Sequence, residues 1–189
     1  MEITSYTELD AVNEIISVIG ESPLNTLENI QDVDAINALR ILRAVSRNEQ
    51  SHGWSFNIRP EYTLTPDRYT GKIAWLETYL SLKGSNGEKL VRSGDYIKDL
   101  STGTMTFSEP ITAEAIILVP FEELPEAMRT YIIAKATYRF QSRYLGDDSL
   151  TQITLQEIQE AWRHLQEYEM DNNSDNILNN ADVTTLKDR

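Results

Sequence analysis

Three glutamates, Glu122, Glu123 and Glu126, stand close together in the chain. Paired carboxylates are the groups a glycoside hydrolase uses, one as acid and the other as base or nucleophile. The remaining chemistry is sparse. The two histidines, His52 and His164, are far apart and sit in neither HxH nor HExxH spacing. With no cysteine, thiolate catalysis, disulfides and cysteine-ligated metals are ruled out. The glutamates also have a simpler role: they precede and open a helix beginning at Pro125, where carboxylates complement unpaired N–H groups. His52 falls at a helix end and suits the dipole there, and His164 shares a helix with Glu160 and Glu167. Trp54, Trp75 and Trp162 are scattered, as core residues are, and mark no sugar platform. The reading is therefore of a protein with no catalytic residue, cofactor or metal; a hydrolase using Glu122 and Glu126 is the enzymatic alternative.

The cations are more ordered. Arg40, Arg43 and Arg47 run along one flank of a predicted helix, and Lys135, Arg139 and Arg143 recur at every fourth residue of another. Like charges at that spacing disfavour an isolated helix by about 0.2–0.5 kcal/mol per pair, so carboxylates should face them. They can do so within one subunit, through Glu157, Glu160 and Glu167. Alternatively, the arginine flank meets the acidic N-terminal third of a second copy, an asymmetric contact that rotation closes into a ring. That third is one-sided: Glu2, Glu8, Asp10, Glu14, Glu21, Glu28, Asp32 and Asp34 precede the first basic residue, Arg40. A net charge of −13 argues against gripping duplex DNA, whose binding proteins neutralise phosphates with lysine and arginine. It suits a surface along which a polyanion slides without sticking. A module that mimics nucleic acid is a second rival.

The elements that position these residues follow from period and punctuation. A capping box from Ser5 to Glu8 opens a first helix with Leu9, Val12, Ile15, Ile16 and Ile19 on one side, stopped by Gly20 and Pro23. A second helix, about 32–51, carries Ala35, Ala38, Leu39, Ile41, Leu42 and Val45, packs on the first, and runs through a glycine into an alternating strand at Trp54, Phe56 and Ile58. Short antiparallel strands follow up to Val119, broken at Arg59-Pro60 and Pro66-Asp67, with turns at Asn86-Gly87, Gly94-Asp95 and Ser101-Thr102-Gly103. The run Ile73–Leu82 fits strand or helix, and Ala115–Val119 reads as a buried strand. From Pro125 a third helix steps through Met128, Ile132, Ala136 and Phe140 and ends near Gly146. A fourth has a possible capping box at Thr154–Glu157, with Leu155, Ile158, Trp162 and Leu165 in heptad-like spacing.

After Met170 asparagine and aspartate dominate, which predicts an arm without a core of its own. Ile177, Leu178, Val183 and Leu186 are its candidate anchors to a neighbour or partner. The class is α+β: a four-helix bundle with two helices from each end of the chain, an inserted antiparallel β region, and an extended C-terminal arm. The segments are 1–53 and 121–170 for the two bundle halves, 54–120 for the insertion and 171–189 for the arm. Nothing approaches the roughly 20 apolar residues of a membrane span, and no signal peptide is expected.

Two stretches, ELDAVNEIISVIGESPLNTLE from Glu8 and DAINALRILRAVSRNEQSHGWSFNI from Asp34, resemble the tail tubular protein A family of short-tailed bacteriophages (podoviruses). AVN-[DE]-I-L-x-x-IGE-x-P and Q-S-x-GW-[ST]-FN recur there at these relative positions. The resemblance continues in LPEAMRTYIIAKATYRFQSRYLG from Leu124 and EAWRHLQEYEMD from Glu160, and is weaker over 69–110. It implies a head-to-tail adaptor, a ring of twelve copies between the portal protein and the tail nozzle, tail tubular protein B. Double-stranded DNA would pass through without specific binding during ejection. It also implies a place in the virion tail after assembly in the host cytoplasm.

Overall fold

The computed structural model describes residues 6–144 and 148–178 and divides into two compact units: Met1–Glu49 with Pro120–Arg189, and Gln50–Val119. The first is helical and the second is built of strands, so the class is α+β. Among the described residues no helix is long and apolar enough to cross a membrane.

In the helical unit α1 spans Glu8–Ser17 and buries Ala11, Val12, Ile15 and Ile16. Its capping box is Thr7 with Asp10, two residues beyond the expected Ser5–Glu8; Ser5 lies outside the described residues. Both quartets fit the motif. Thr7 accepts from the Asp10 N–H at 3.2 Å and gives its own N–H to the Asp10 carboxylate at 2.9 Å. The Thr7 hydroxyl and N–H together hold the Asp10 carboxyl below its ordinary pKa. Gly20, at φ +79°, closes the end by donating to Ser17 O. Helix α2, Val33–Gln50, starts where Asp32 accepts from the Ala35 N–H at 2.8 Å, and buries Ala35, Ala38, Ile41, Leu42 and Val45.

A 3-10 turn at Phe121–Glu123 and then Pro125 lead into α3, Glu126–Tyr144, where Met128, Ile132, Ala136 and Phe140 are all fully buried. This helix packs along α4, Asp148–Leu178, and more lightly on α1. Three expectations for α4 fail. Thr154 is not a cap: it is buried inside the helix and donates to Gln141 Oε1 at 2.8 Å, tying α4 to α3. The apolar stripe is also shifted, with Ala161 and Leu165 buried, Ile158 and Trp162 at its margin, and Leu155 exposed. The helix outlasts Met170 and stays helical through Leu178. Extending an existing helix adds a hydrogen bond for each residue fixed, so an asparagine-rich stretch that would not nucleate one can still continue it.

In the β unit β1 (Ile58–Leu64), β5 (Ile111–Ile117) and β2 (Tyr79–Gly84) form an antiparallel sheet in that order, and β3 (Leu90–Ser93) pairs with β4 (Tyr96–Asp99). The central strand begins four residues before the expected Ala115 and alternates, Ile111, Ala113 and Ala115 inward and Thr112 and Glu114 outward. Leu64, Leu82 and Ile97 join this core, and Tyr62 and Trp75 pack edge-on to Tyr79. The run from Ile73 is strand only from Tyr79.

Several local expectations are corrected. Trp54 and Phe56 occupy a turn rather than a strand, because the buried Asn57 carboxamide accepts from the Trp54 N–H at 2.8 Å and donates to Gln50 O at 2.9 Å. Pro60 does not break β1. The register shifts there, a bulge on an edge strand where the missing N–H costs no ladder bond. Asn86-Gly87 links strands of different sheets, with Gly87 alone at positive φ. Gly94-Asp95 is the two-residue hairpin turn, with Gly94 at +62°.

Two side chains hold this unit together at its ends and turns. Gln50 donates to Val119 O at 3.0 Å and accepts from the Val119 N–H at 2.8 Å, joining the first and last residues of the unit. Asp99, 3% exposed, accepts from the Thr102 hydroxyl, the Ser101 N–H and the Lys89 N–H. Those bonds, the Thr102 hydroxyl foremost, bring its pKa down to about 2. An unfolded aspartate titrates near ~3.9, so between pH ~4 and ~2 the unfolded chain takes up a proton that the folded one refuses. Stability from Asp99 is thus complete above that window and is lost as pH falls through it. In thermal unfolding the difference in Tm between wild type and Asp99→Asn should be largest above pH 5 and close towards pH 2.

Candidate assembly interface

The two rows of cations separate into used and unused members. Arg43 reaches both carboxylate oxygens of Glu8 with one edge of its guanidinium, Nε at 3.1 Å and Nη2 at 2.8 Å, and that hydrogen bonding raises its pKa. Arg43 is largely exposed, so the pair is worth at most about 1 kcal/mol. Lys135 donates to Glu49 at 2.8 Å and to the Tyr131 hydroxyl at 3.2 Å. Burial opposes its charge, but the bonds to Glu49 and Tyr131 outweigh burial and leave its pKa raised. Glu49 is 2% exposed, on the buried side of α2, so the carboxylate of this pair is interior, while Lys135 is 26% exposed. Arg47 also has a partner in the chain.

Arg40, Arg139 and Arg143 are different. With Asn37, Ile41 and Ala44 they line a groove of about 290 Å³ between α2 and α3. None of the three forms an ion pair among the described residues, and Glu157, Glu160 and Glu167 do not reach them. Three guanidinium groups thus share one groove with Asn37, Ile41 and Ala44, in a chain of net charge −13.

A second hollow, about 350 Å³, is lined by Tyr6, Glu14, Glu126, Thr130, Thr137 and Glu157 among others. The Tyr6 hydroxyl donates to the Glu14 carboxylate, and burial, helped by Glu14, raises the phenol pKa. The acid cluster is occupied by structural work. Glu122 Oε1 accepts from the Glu8 N–H at 3.2 Å, Glu122 O accepts from Arg129, and Glu126 pairs with Arg129. Trp54 is buried, Trp75 packs on the β core, and Trp162 lies 5.1 Å from the Tyr131 ring. His52 and His164 are both exposed. Among the described residues no three histidine, aspartate or glutamate side chains are grouped as a metal site would require.

Ile177 and Leu178 fall on the last turn of α4, with side chains outside the description; Val183 and Leu186 lie outside the described residues. Glu49 escaped the sequence reading although its signal is visible: it continues the Ala38, Leu42, Val45 stripe, where a carboxylate needs a buried partner. The Gln50 closure has no comparable signal, since its partner is a backbone 69 residues away.

A family model described as tail tubular protein matches residues 9–174. A curated relative, tail tubular protein A of Klebsiella phage KP34, is 29% identical over 148 residues, covering 75% of this chain and 75% of its own length.

The Glu49–Lys135 pair gives a stability test. Lys135→Met leaves a carboxylate buried without its cation and should cost about 3 kcal/mol in urea unfolding. Adding Glu49→Leu should recover most of that loss.

Proposed function

The chain belongs to the tail tubular protein family, structural proteins of the phage tail, and from that premise we propose that it is a ring-forming adaptor joining the portal protein to the tail nozzle. The observation that carries this reading is a family match over nearly the whole chain, 9–174, in a subunit whose charged groups cap, pair and pack. Under it, twelve copies surround a bore through which double-stranded DNA leaves the head without being held. A net charge of −13 supports passage over retention, because like charges repel and few lysines or arginines are available for phosphates.

The helical unit, closed as a four-helix bundle, is the body of each copy in this reading. The β unit is an insertion free to meet nozzle, neighbour or cell surface. The cations read from the sequence as ring contacts narrow to Arg40, Arg139 and Arg143, since Arg43 and Lys135 are paired inside the subunit. The end of the chain, with Ile177, Leu178, Val183 and Leu186, docks on the portal or on the next copy. Assembly takes place in the host cytoplasm and the product is part of the virion. The protein needs no cofactor and works by many modest contacts repeated around a ring.

Mixed with the portal protein of the same virion, the purified chain should form rings visible by negative-stain microscopy and measurable by native mass spectrometry. A chain that stays a single subunit beside its portal overturns the adaptor reading. Release of reducing ends from capsular polysaccharide, abolished by Glu122→Gln or Glu126→Gln, would favour the hydrolase instead.

A further inference from the structure

We infer that the groove of Arg40, Arg139 and Arg143 receives the flank of α4 that carries Glu157 and Glu160 in the neighbouring copy, with those two carboxylates as its partners; this rests on the ring reading above. The groove and the acidic face are on different sides of one subunit. At 3.6 residues per turn, Arg139 and Arg143 lie on the side of α3 opposite Thr130, Ala134 and Thr137, which line the hollow that Glu157 also borders. A contact between unlike faces is what a closed ring requires. A contact between like faces would stop at a pair.

The dimensions agree. Arg139 and Arg143 are four residues apart along a helix, about 6 Å, and Glu157 and Glu160 are three apart, about 4.5 Å. One helical turn of carboxylates therefore faces one helical turn of guanidinium groups. Glu157 and Glu160 are exposed and form no ion pair among the described residues. Both partners are thus left unused by the fold, and arginine suits carboxylates through its planar fork of donors.

Other occupants fit less well. A duplex is too broad for a groove of about 290 Å³, and the chain's negative charge repels it. In the N-terminal third, Glu8 is held by Arg43, Asp10 by Thr7, Glu14 by Tyr6, and Asp32 caps α2. Asp34 lies on α2 itself, less than two turns from Arg40 but about 120° around the helix from it, so it stays a candidate. Among the described residues Glu21 and Glu28 are the other candidates there, and Glu2 lies outside them.

The test is a charge exchange in the full chain, with ring formation on the portal followed by sedimentation velocity. Arg139→Glu with Arg143→Glu, and separately Glu157→Arg with Glu160→Arg, should each raise the concentration needed for rings by roughly tenfold or more. The four changes together should restore assembly. Unchanged melting and far-UV spectra keep folding out of the comparison. Because the chain has no cysteine, Arg143→Cys with Glu160→Cys gives a second readout, an oxidative ladder of linked copies. Rings as good as wild type in either charge variant, or no rescue in the combination, overturn the inference and leave the adaptor reading standing. Crosslinking of Arg143→Cys with Glu28→Cys in place of Glu160→Cys overturns it in favour of the N-terminal segment. A wild-type chain that makes no ring with its portal overturns both.

Discussion

Helix α3 is enclosed on most of its circumference, and this constraint organises the helical unit. Met128, Tyr131, Ile132, Ile133, Ala136 and Phe140 are all buried, and each large apolar side chain contributes about 1.5–3 kcal/mol by leaving water. A helix so enclosed favours polar groups that find partners. Arg129 is therefore fixed by Glu126 and the Glu122 carbonyl, Lys135 by Glu49, and Gln141 by Thr154. Two of these solutions recruit a residue from another helix: Glu49 belongs to α2 and Thr154 to α4. The polar bonds thus set how the helices align, while the apolar row supplies most of the free energy. Only towards the end of the helix, at Arg139 and Arg143, is charge left without an ion pair among the described residues.

The β unit meets a different difficulty, that of an insertion needing its two ends close together. Gln50 and Val119 solve it with a pair of hydrogen bonds that imitate one step of a sheet ladder. Nearby, Asn57 fills the space a strand would have used and accepts and donates at once. Gly53 fits the same corner: at φ +80° a Cβ there would come within 3.0 Å of Ile116. A segment closed in this way can vary in its outer loops without disturbing the chain on either side.

How much of this was legible depended on the range of the interaction. The α3 row was plain because a step of four on a buried helix is set by local geometry, and the Gly94-Asp95 turn because a two-residue hairpin demands a positive φ. Family membership was legible too, carried by long stretches in a fixed order rather than by any single motif. The cap at Thr7 was misplaced by two residues because two overlapping quartets satisfy the same pattern. The strand at Trp54 was mistaken because alternation also describes a turn held by an asparagine side chain. Thr154 looked like a cap until its partner, Gln141 on another helix, was known. The first two failures are choices between local patterns that the same few residues satisfy; only at Thr154 did a bond to another helix outweigh a local preference. The cation rows were visible in sequence, but which members were already paired was not, since Glu8 and Glu49 lie 35 and 86 residues from their partners.

The sorting of charges bears on how such a subunit assembles under the proposed ring. Exposed ion pairs are weak, about 0.2–1 kcal/mol each, so a contact built from two or three of them cannot hold two copies together at low concentration. That weakness is useful before closure, because a misplaced copy dissociates quickly. Closing the ring makes the final contact intramolecular and raises its effective concentration, so the same weak pairs become collectively durable. Pairs with an interior carboxylate, such as Glu49–Lys135, could not serve this purpose, since separating them strands a charge in a place water does not reach. A chain that buries one set of pairs to fix its fold and leaves another at its surface therefore divides stability from association. The large acidic excess sharpens the division: random encounters between copies are repulsive, and only an approach that brings an arginine groove to carboxylates is attractive.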